Sequence, residues 1–177
     1  MRAVCYCRDC QAYARFLGTP GATDANGGTD VVAMLPQHVH FAGADALACM
    51  SLRERGLLRW YASCCNTPIA NTPRNRNVPY VGVARMCLDA GTPTVDESFG
   101  VPRIAVNVKS ARGHVASTPL AAFVAVLRLG MSAIGGRLAG GVRDHPFFQP
   151  GASAPIRPVR VLSATERAHA YDEPGQR

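Results

Sequence analysis

The sequence predicts a mainly β protein of short antiparallel strands, with a C-terminal helix and an extended tail. Three observations carry this. Short apolar or alternating runs, rich in β-branched and aromatic residues, follow one another from residue 31 to residue 86 with Pro, Gly and charged separators between them. At residue 117 the pattern changes to apolar residues recurring every three or four positions. After Gly141 the chain becomes proline-rich.

The elements follow in order. In RDCQAYARFL (8–17), Ala12, Tyr13, Phe16 and Leu17 lie at helical spacing and predict a short helix. The Gly-, Asp- and Thr-rich piece after it is a loop. Strands are expected at VVAML (31–35), HVHFA (38–42), ALACMSL (46–52), LLRWYA (57–62), VPYVGVARM (78–86) and PRIAVNVK (102–109), with a polar loop at 71–77. A helix over about 118–139 follows, with Ser117 or Thr118 as N-cap and Pro119 at its first position. Its apolar stripe is Leu120, Phe123, Val124, Leu127, Met131, Ile134 and Leu138. Arg128, Arg137 and three glycines interrupt it, leaving about half of the ~20 apolar residues a membrane crossing needs. It is expected to pack on the sheet or on a partner, with an interfacial membrane helix as the minor reading. Pro146, Pro150, Pro155 and Pro158 keep the tail extended, and Ser163-Ala-Thr-Glu166 fits a capping box that would start a short helix. The expected organisation is a cysteine-bearing domain at 1–108 and a C-terminal extension at 109–177.

Composition narrows the function classes. The 177 residues carry a formal net charge of +7, yet Lys109 is the single lysine and the arginines are scattered. One Trp, five Tyr and six Phe provide few stacking platforms, so no nucleic-acid groove is expected. Residues 1–16 lack the apolar segment of a secretory signal. Seven cysteines cannot all pair internally, so free thiols or thiolate–metal bonds in the cytoplasm are expected.

Cys5, Cys7 and Cys10 form a C-x-C-x-x-C pattern. Residues two apart in an extended segment project to one side, which aligns Cys5 with Cys7. A turn at Arg8-Asp9 returns Cys10 to them, and three sulfurs at about 2.3 Å from one zinc are sterically easy. Arg2, Arg8 and the following helix start would favour thiolates. A redox C-x-x-C is the rival reading, but it normally opens the helix of a βαβ unit. For a fourth ligand the sequence offers several residues. Cys49 and Cys87 stand singly in apolar segments and are expected in the core. Cys64 and Cys65 are adjacent, so their side chains are expected to diverge, one ligating while the other packs. His38 and His40 share one face of an expected strand, where exposed polar pairs are common.

Two segments together resemble a known family. CYCRDCQAYARFLG and LLRWYASCCNTPIANT are similar to the central and later cysteine segments of the glutathione-dependent formaldehyde-activating enzymes, which include centromere protein V. The likeness is nearest to a bacterial branch with a W-Y-A-x-C-C-N-T-P-I signature, and it spans residues 1–108. It implies a β-tent fold and two cysteine-bound zinc ions. The family's activity is addition of glutathione to formaldehyde, the reverse of a carbon–sulfur lyase reaction. By position, Cys5, Cys7 and Cys10 would hold the catalytic-type Zn2+, and Cys65 matches the second cysteine of the later pair. The chain departs from the pattern at Ala62, Cys64 and Asn66, and no earlier C-x-C precedes Cys5. An open sheet edge is therefore expected beside the site. The resulting expectation is a zinc protein with ligands Cys5, Cys7, Cys10 and Cys65. It would act on the adduct of an aldehyde and a small thiol such as glutathione, with Arg8, Arg15 or Arg59 holding the carboxylates of the thiol. The alternative is a non-catalytic, zinc-stapled interaction module.

Overall fold

The computed structural model describes residues 1–88, 93–138 and 145–172, apart from the side chains of 133 and 136–138. The last residue of the expected helix over 118–139 and the end of the tail lie outside the described residues. The architecture is mainly β, with a C-terminal helix, as the sequence predicts. Its strands make one eight-stranded mixed sheet.

The strands are β1 (Arg2–Cys5), β2 (Thr29–Met34), β3 (Leu47–Ser51), β4 (Leu58–Ala62), β5 (Pro68–Thr72), β6 (Val81–Ala84), β7 (Ala105–Val106) and β8 (Val159–Val161). Across the sheet their order is β7-β1-β2-β6-β5-β4-β3-β8. The six central strands pair antiparallel, while β7 on β1 and β8 on β3 pair parallel. The helices are α1 (Arg8–Leu17), α2 (Val95–Phe99), α3 (Pro119–Leu138) and α4 (Ala164–Tyr171). Pro119 opens α3 and Ser163 caps α4 through a complete capping box with Glu166, both as read from the sequence.

Each face of the sheet is covered differently. Alternation along β4 sends Leu58 and Trp60 to one side and Arg59 and Tyr61 to the other. On the first side Trp60 and Leu58 join Leu47, Val81, Val83 and Phe147 in the main core. Trp60 is fully buried, its indole donates to Thr72 Oγ1 at 3.0 Å, and its ring lies 4.8 Å from that of Phe147. On the second side α1 lays Ala12, Tyr13 and Leu17 on Met50 and Leu52, and α4 completes this layer through Ala170. Gly18, at φ +68°, ends α1 in the left-handed conformation that glycine adopts without cost.

Four expectations are corrected. HVHFA forms no strand: Pro36 starts a 3-10 turn over Pro36–His38, and the chain then runs irregularly. Its alternation reflects Val39 and Phe41 packing on the core from outside the ladder. PIANT pairs as β5 although it was not expected to, with Pro68 at the first strand position, where its missing N–H matters least. The expected strand over 102–109 shrinks to the two residues of β7, yet β7 covers β1, so the edge beside the cysteines is not open. The proline-rich tail is built into the fold, with Phe147 and Phe148 in the main core and β8 in the sheet.

Two devices fix β1 where the cysteines begin. Gly28 on β2's approach faces Val4 and Tyr6 so closely that an added Cβ would fall 2.4 Å from Val4 Cγ1. Arg2, only 7% exposed, donates to both carboxylate oxygens of Asp30, to Asp96 and to the Gly100 carbonyl. The Asp30 hydrogen bond leads in raising the Arg2 pKa above its ordinary value. Arg2 therefore serves these carboxylates rather than the thiols.

Candidate metal centre

The three cysteines sit at one junction. Cys5 ends β1, Cys7 is the N-cap of α1, and Cys10 lies in the first turn of that helix. Cys7 is extended, at φ −64° and ψ 146°, and its sulfur accepts the Cys10 N–H at 3.3 Å. A thiol thus does the capping that Ser or Asp usually does. The three sulfurs all lie within 4.8 Å of one another. Cys10 is buried, while Cys5 and Cys7 are half-buried. The group can hold a metal ion: its donors are soft, and sulfurs about 2.3 Å from a tetrahedral ion stand about 3.8 Å apart.

The surroundings favour negative charge on Cys5. Cys10 and then Cys7 donate to Cys5, holding its thiol well below the usual range. Cys10 is correspondingly pushed up, first by Cys5, then by Cys7 and by burial. For Cys7 the Cys10 hydrogen bond pulls down, but Cys5 and burial outweigh it and the net shift is upward. Asn107, at φ +57°, donates its amide to Cys5 Sγ at 3.4 Å from the loop after β7. Gln11 braces the same loop, donating to the carbonyls of Tyr6 and Ser110 at 3.0 and 2.7 Å.

Arg59 is 2% exposed and reaches the group from β4. Its Nη1 donates to Asn71 Oδ1 at 3.1 Å and approaches Cys10 Sγ at 3.9 Å, and its guanidinium lies 5.0 Å from the Tyr13 ring centre. Among the described residues no carboxylate pairs with it. Tyr80 is also close enough to sense the site: burial first, and then Cys5 and Cys10, push its phenol up to about 12. Sequence reading named Arg59 only as a holder of substrate carboxylates and passed over Tyr80 and Asn107. The alternation in LRWYA was the available signal for Arg59, since it points that side chain toward α1.

The structure brings Cys5, Cys7 and Cys10 together and leaves Cys65 out of the group. Cys65 lies exposed in the turn between β4 and β5, 3.0 Å from Thr67 Oγ1. The adjacent thiols do not diverge: Cys64 and Cys65 Sγ are 3.6 Å apart. Asn66 turns the chain there at φ +56°, a left-handed conformation Asn tolerates. Cys49 is core, as expected, with its thiol pushed up to about 12 by burial. Cys87 is exposed in a 3-10 turn, contrary to expectation, and His38 and His40 are exposed outside any strand.

A cationic cleft is lined by residues close in sequence to the junction. It encloses about 450 Å³ between Arg8, Lys109, Ser110, Arg112, Tyr171 and Asp172. Arg8 directly follows Cys7, and Lys109 stands two residues from Asn107. Arg15 is committed elsewhere, donating to the Ala170 carbonyl at 2.8 Å.

Fold and site together define a mixed-sheet protein with a three-thiol, metal-competent junction between a strand and a helix. The chain belongs to the family of unknown function DUF6151, whose model matches residues 1–157. No curated protein and no solved structure matches it.

Proposed function

We propose that Cys5, Cys7 and Cys10 hold a zinc ion and that the site is a carbon–sulfur lyase centre acting on the adduct of an aldehyde and a small acidic thiol such as glutathione. The carrying observation is the set of three convergent thiols with no fourth protein donor among the described residues. Three protein ligands and one open position are the usual catalytic arrangement of zinc. Zinc bound there would supply a Lewis acid that favours the thiolate form of a substrate thiol. The reaction joins the thiol sulfur to the carbonyl carbon, and the thiol proton ends on the former carbonyl oxygen. Arg8 and Lys109 in the cationic cleft suit the carboxylates of the thiol. Arg59 is buried under Cys10, so its part is to balance the charge of the sulfurs rather than to bind substrate. Seven free cysteines suit a reducing compartment such as the cytoplasm.

The experiment is NMR observation of glutathione and 13C-formaldehyde with the zinc-loaded chain. The expected result is faster formation of the hydroxymethyl adduct than in the protein-free mixture. An unchanged rate overturns the enzymatic reading. A zinc-stapled, non-catalytic interaction module is the second reading, favoured by the exposed apolar side of α3. Retained zinc without turnover supports it.

A further inference from the structure

We infer that Cys64 and Cys65 form a second thiol site, a chelating pair that takes a trivalent thiophilic metalloid of the arsenous acid class. The inference does not rest on the chemistry proposed for Cys5, Cys7 and Cys10.

The turn between β4 and β5 presents both sulfurs at one point. Cys64 and Cys65 are exposed, and their Sγ atoms stand 3.6 Å apart, with the Cys64 thiol donating to Cys65. Thr67 Oγ1 lies 3.0 Å from Cys65 Sγ. The backbone holds this arrangement. The Ala62 N–H donates to the Thr67 carbonyl at 2.9 Å, and the Cys65 N–H donates to the Ala62 carbonyl at 3.4 Å. Ser63 ties the turn to the residue before β3, donating to the Ala46 carbonyl from its N–H at 2.7 Å and from its hydroxyl at 3.0 Å. Asn66, at φ +56°, makes the reversal, and Pro68 restricts the chain beyond it. Two soft donors are thus set side by side before any ligand arrives.

Geometry and donor number select the occupant. The pair is ill suited to closing on itself. Neighbouring Cα atoms stand about 3.8 Å apart, and a disulfide usually needs about 4.4 Å or more. A bridging atom removes that conflict. On the scale of a zinc–sulfur bond, about 2.3 Å, the observed separation subtends about 100° at the bridging atom, an angle that suits a pyramidal trivalent centre. A structural zinc takes four protein donors, and among the described residues no third Cys, His, Asp or Glu joins this pair. Trivalent arsenic makes three bonds in all, so two sulfurs and one exchangeable hydroxyl satisfy it, and thiolates are the ligands that soft centres select. In the binding step two As–O bonds of arsenous acid break and two As–S bonds form. Each thiol proton leaves with a hydroxyl as water. Arsenic stays trivalent throughout, so no oxidant or reductant is needed.

Arsenite added to the zinc-loaded chain at neutral pH tests this, with arsenic and zinc per chain measured together after gel filtration. One arsenic per chain is expected, with zinc fully retained. Dimercaptopropanol should strip it, whereas 2-mercaptoethanol at the same thiol concentration should not. Cys64→Ser and Cys65→Ser should each weaken binding about a hundredfold or more, because the second As–S bond is then no longer intramolecular. Both side chains are exposed, so the melting temperature should hold. If one variant fails to fold, the other and the dithiol selectivity decide. If the chain loads no zinc, loss of one bound arsenic in Cys64→Ser decides in its place. Absence of arsenic uptake overturns the inference, as does uptake that neither serine weakens. Uptake matched by loss of zinc also overturns it, since the metalloid then sits on Cys5, Cys7 and Cys10.

Discussion

Loading the cysteine group with zinc should stabilise the chain, and the size of the effect follows from the geometry. The sulfurs already lie within 4.8 Å of one another. Closing to the ~3.8 Å separation of a tetrahedral site moves them by about 1 Å at most, so the folded chain needs little reorganisation. The unfolded chain does not hold the three thiols together. Zinc at one hundred times its dissociation constant therefore favours the folded state by about 2.7 kcal/mol. For a chain of this length, each kcal/mol raises the melting temperature by roughly 2–4 °C, giving a rise of about 5–11 °C. Thermal denaturation with and without a chelator, alongside metal analysis, measures it. One zinc per chain is expected, and loading should weaken as pH falls because thiolates must compete with protons. Cys10→Ser should abolish both the metal and the thermal rise. Cys65→Ser should leave both intact, because that thiol stands outside the group. Loss of zinc from Cys65→Ser, or no thermal rise with stoichiometric zinc bound, would refute the reasoning.

Two further predictions concern the fold. His145 is buried with Nε2 unpartnered, and burial first, then Arg76, lowers its pKa from 6.5 to about 4. Its unfolded form takes up a proton first as pH falls, so the associated stability is full above pH 6.5 and is lost between there and about pH 4. The loss is at most about 3 kcal/mol, and urea titrations from pH 7.5 to 4.5 should show it in the natural chain and not in His145→Gln. Parallel curves for the two would sink the assignment. Phe147→Ala empties a fully buried site against Trp60 and should cost about 3–5 kcal/mol, read through the fluorescence of the chain's one tryptophan. A loss below about 1 kcal/mol would show that the tail is not part of the core.

What the sequence disclosed was local. The cysteine group was legible because strand alternation relates Cys5 to Cys7 and one helical turn relates Cys7 to Cys10. The starts of α3 and α4 were legible because Pro119 and the Ser163–Glu166 box act within one turn. What failed was non-local. β8 is three residues directly after Pro158, and it is a strand because it lies parallel to β3, more than a hundred residues away in sequence. β7 is shorter still, yet it covers the edge that sequence reasoning left open. Arg2 was assigned to the thiols because it is close to them in sequence, but the fold delivers Asp30 and Asp96 to it. The α3 stripe was read correctly as apolar and helical. Which side the sheet would take was not encoded, because both sides are apolar.

Arg59 supplies the argument that the group is anionic by design of the fold. Burying a guanidinium costs several kcal/mol unless a negative partner is near. Asn71 is neutral and Tyr13 offers only its ring, so the sulfurs are the anions available. At the 3.9 Å separation of Arg59 and Cys10, a unit negative charge returns about 4 kcal/mol at the effective dielectric of a protein interior. Three neutral thiols would leave that charge unbalanced. Three bare thiolates would repel one another within 4.8 Å. A divalent ion on three thiolates leaves a single negative charge, which Arg59 matches one for one. The metal-bound state is thus one in which β4, α1 and the sulfurs are electrostatically consistent; a lone thiolate at Cys5, with Cys7 and Cys10 protonated, carries the same single charge.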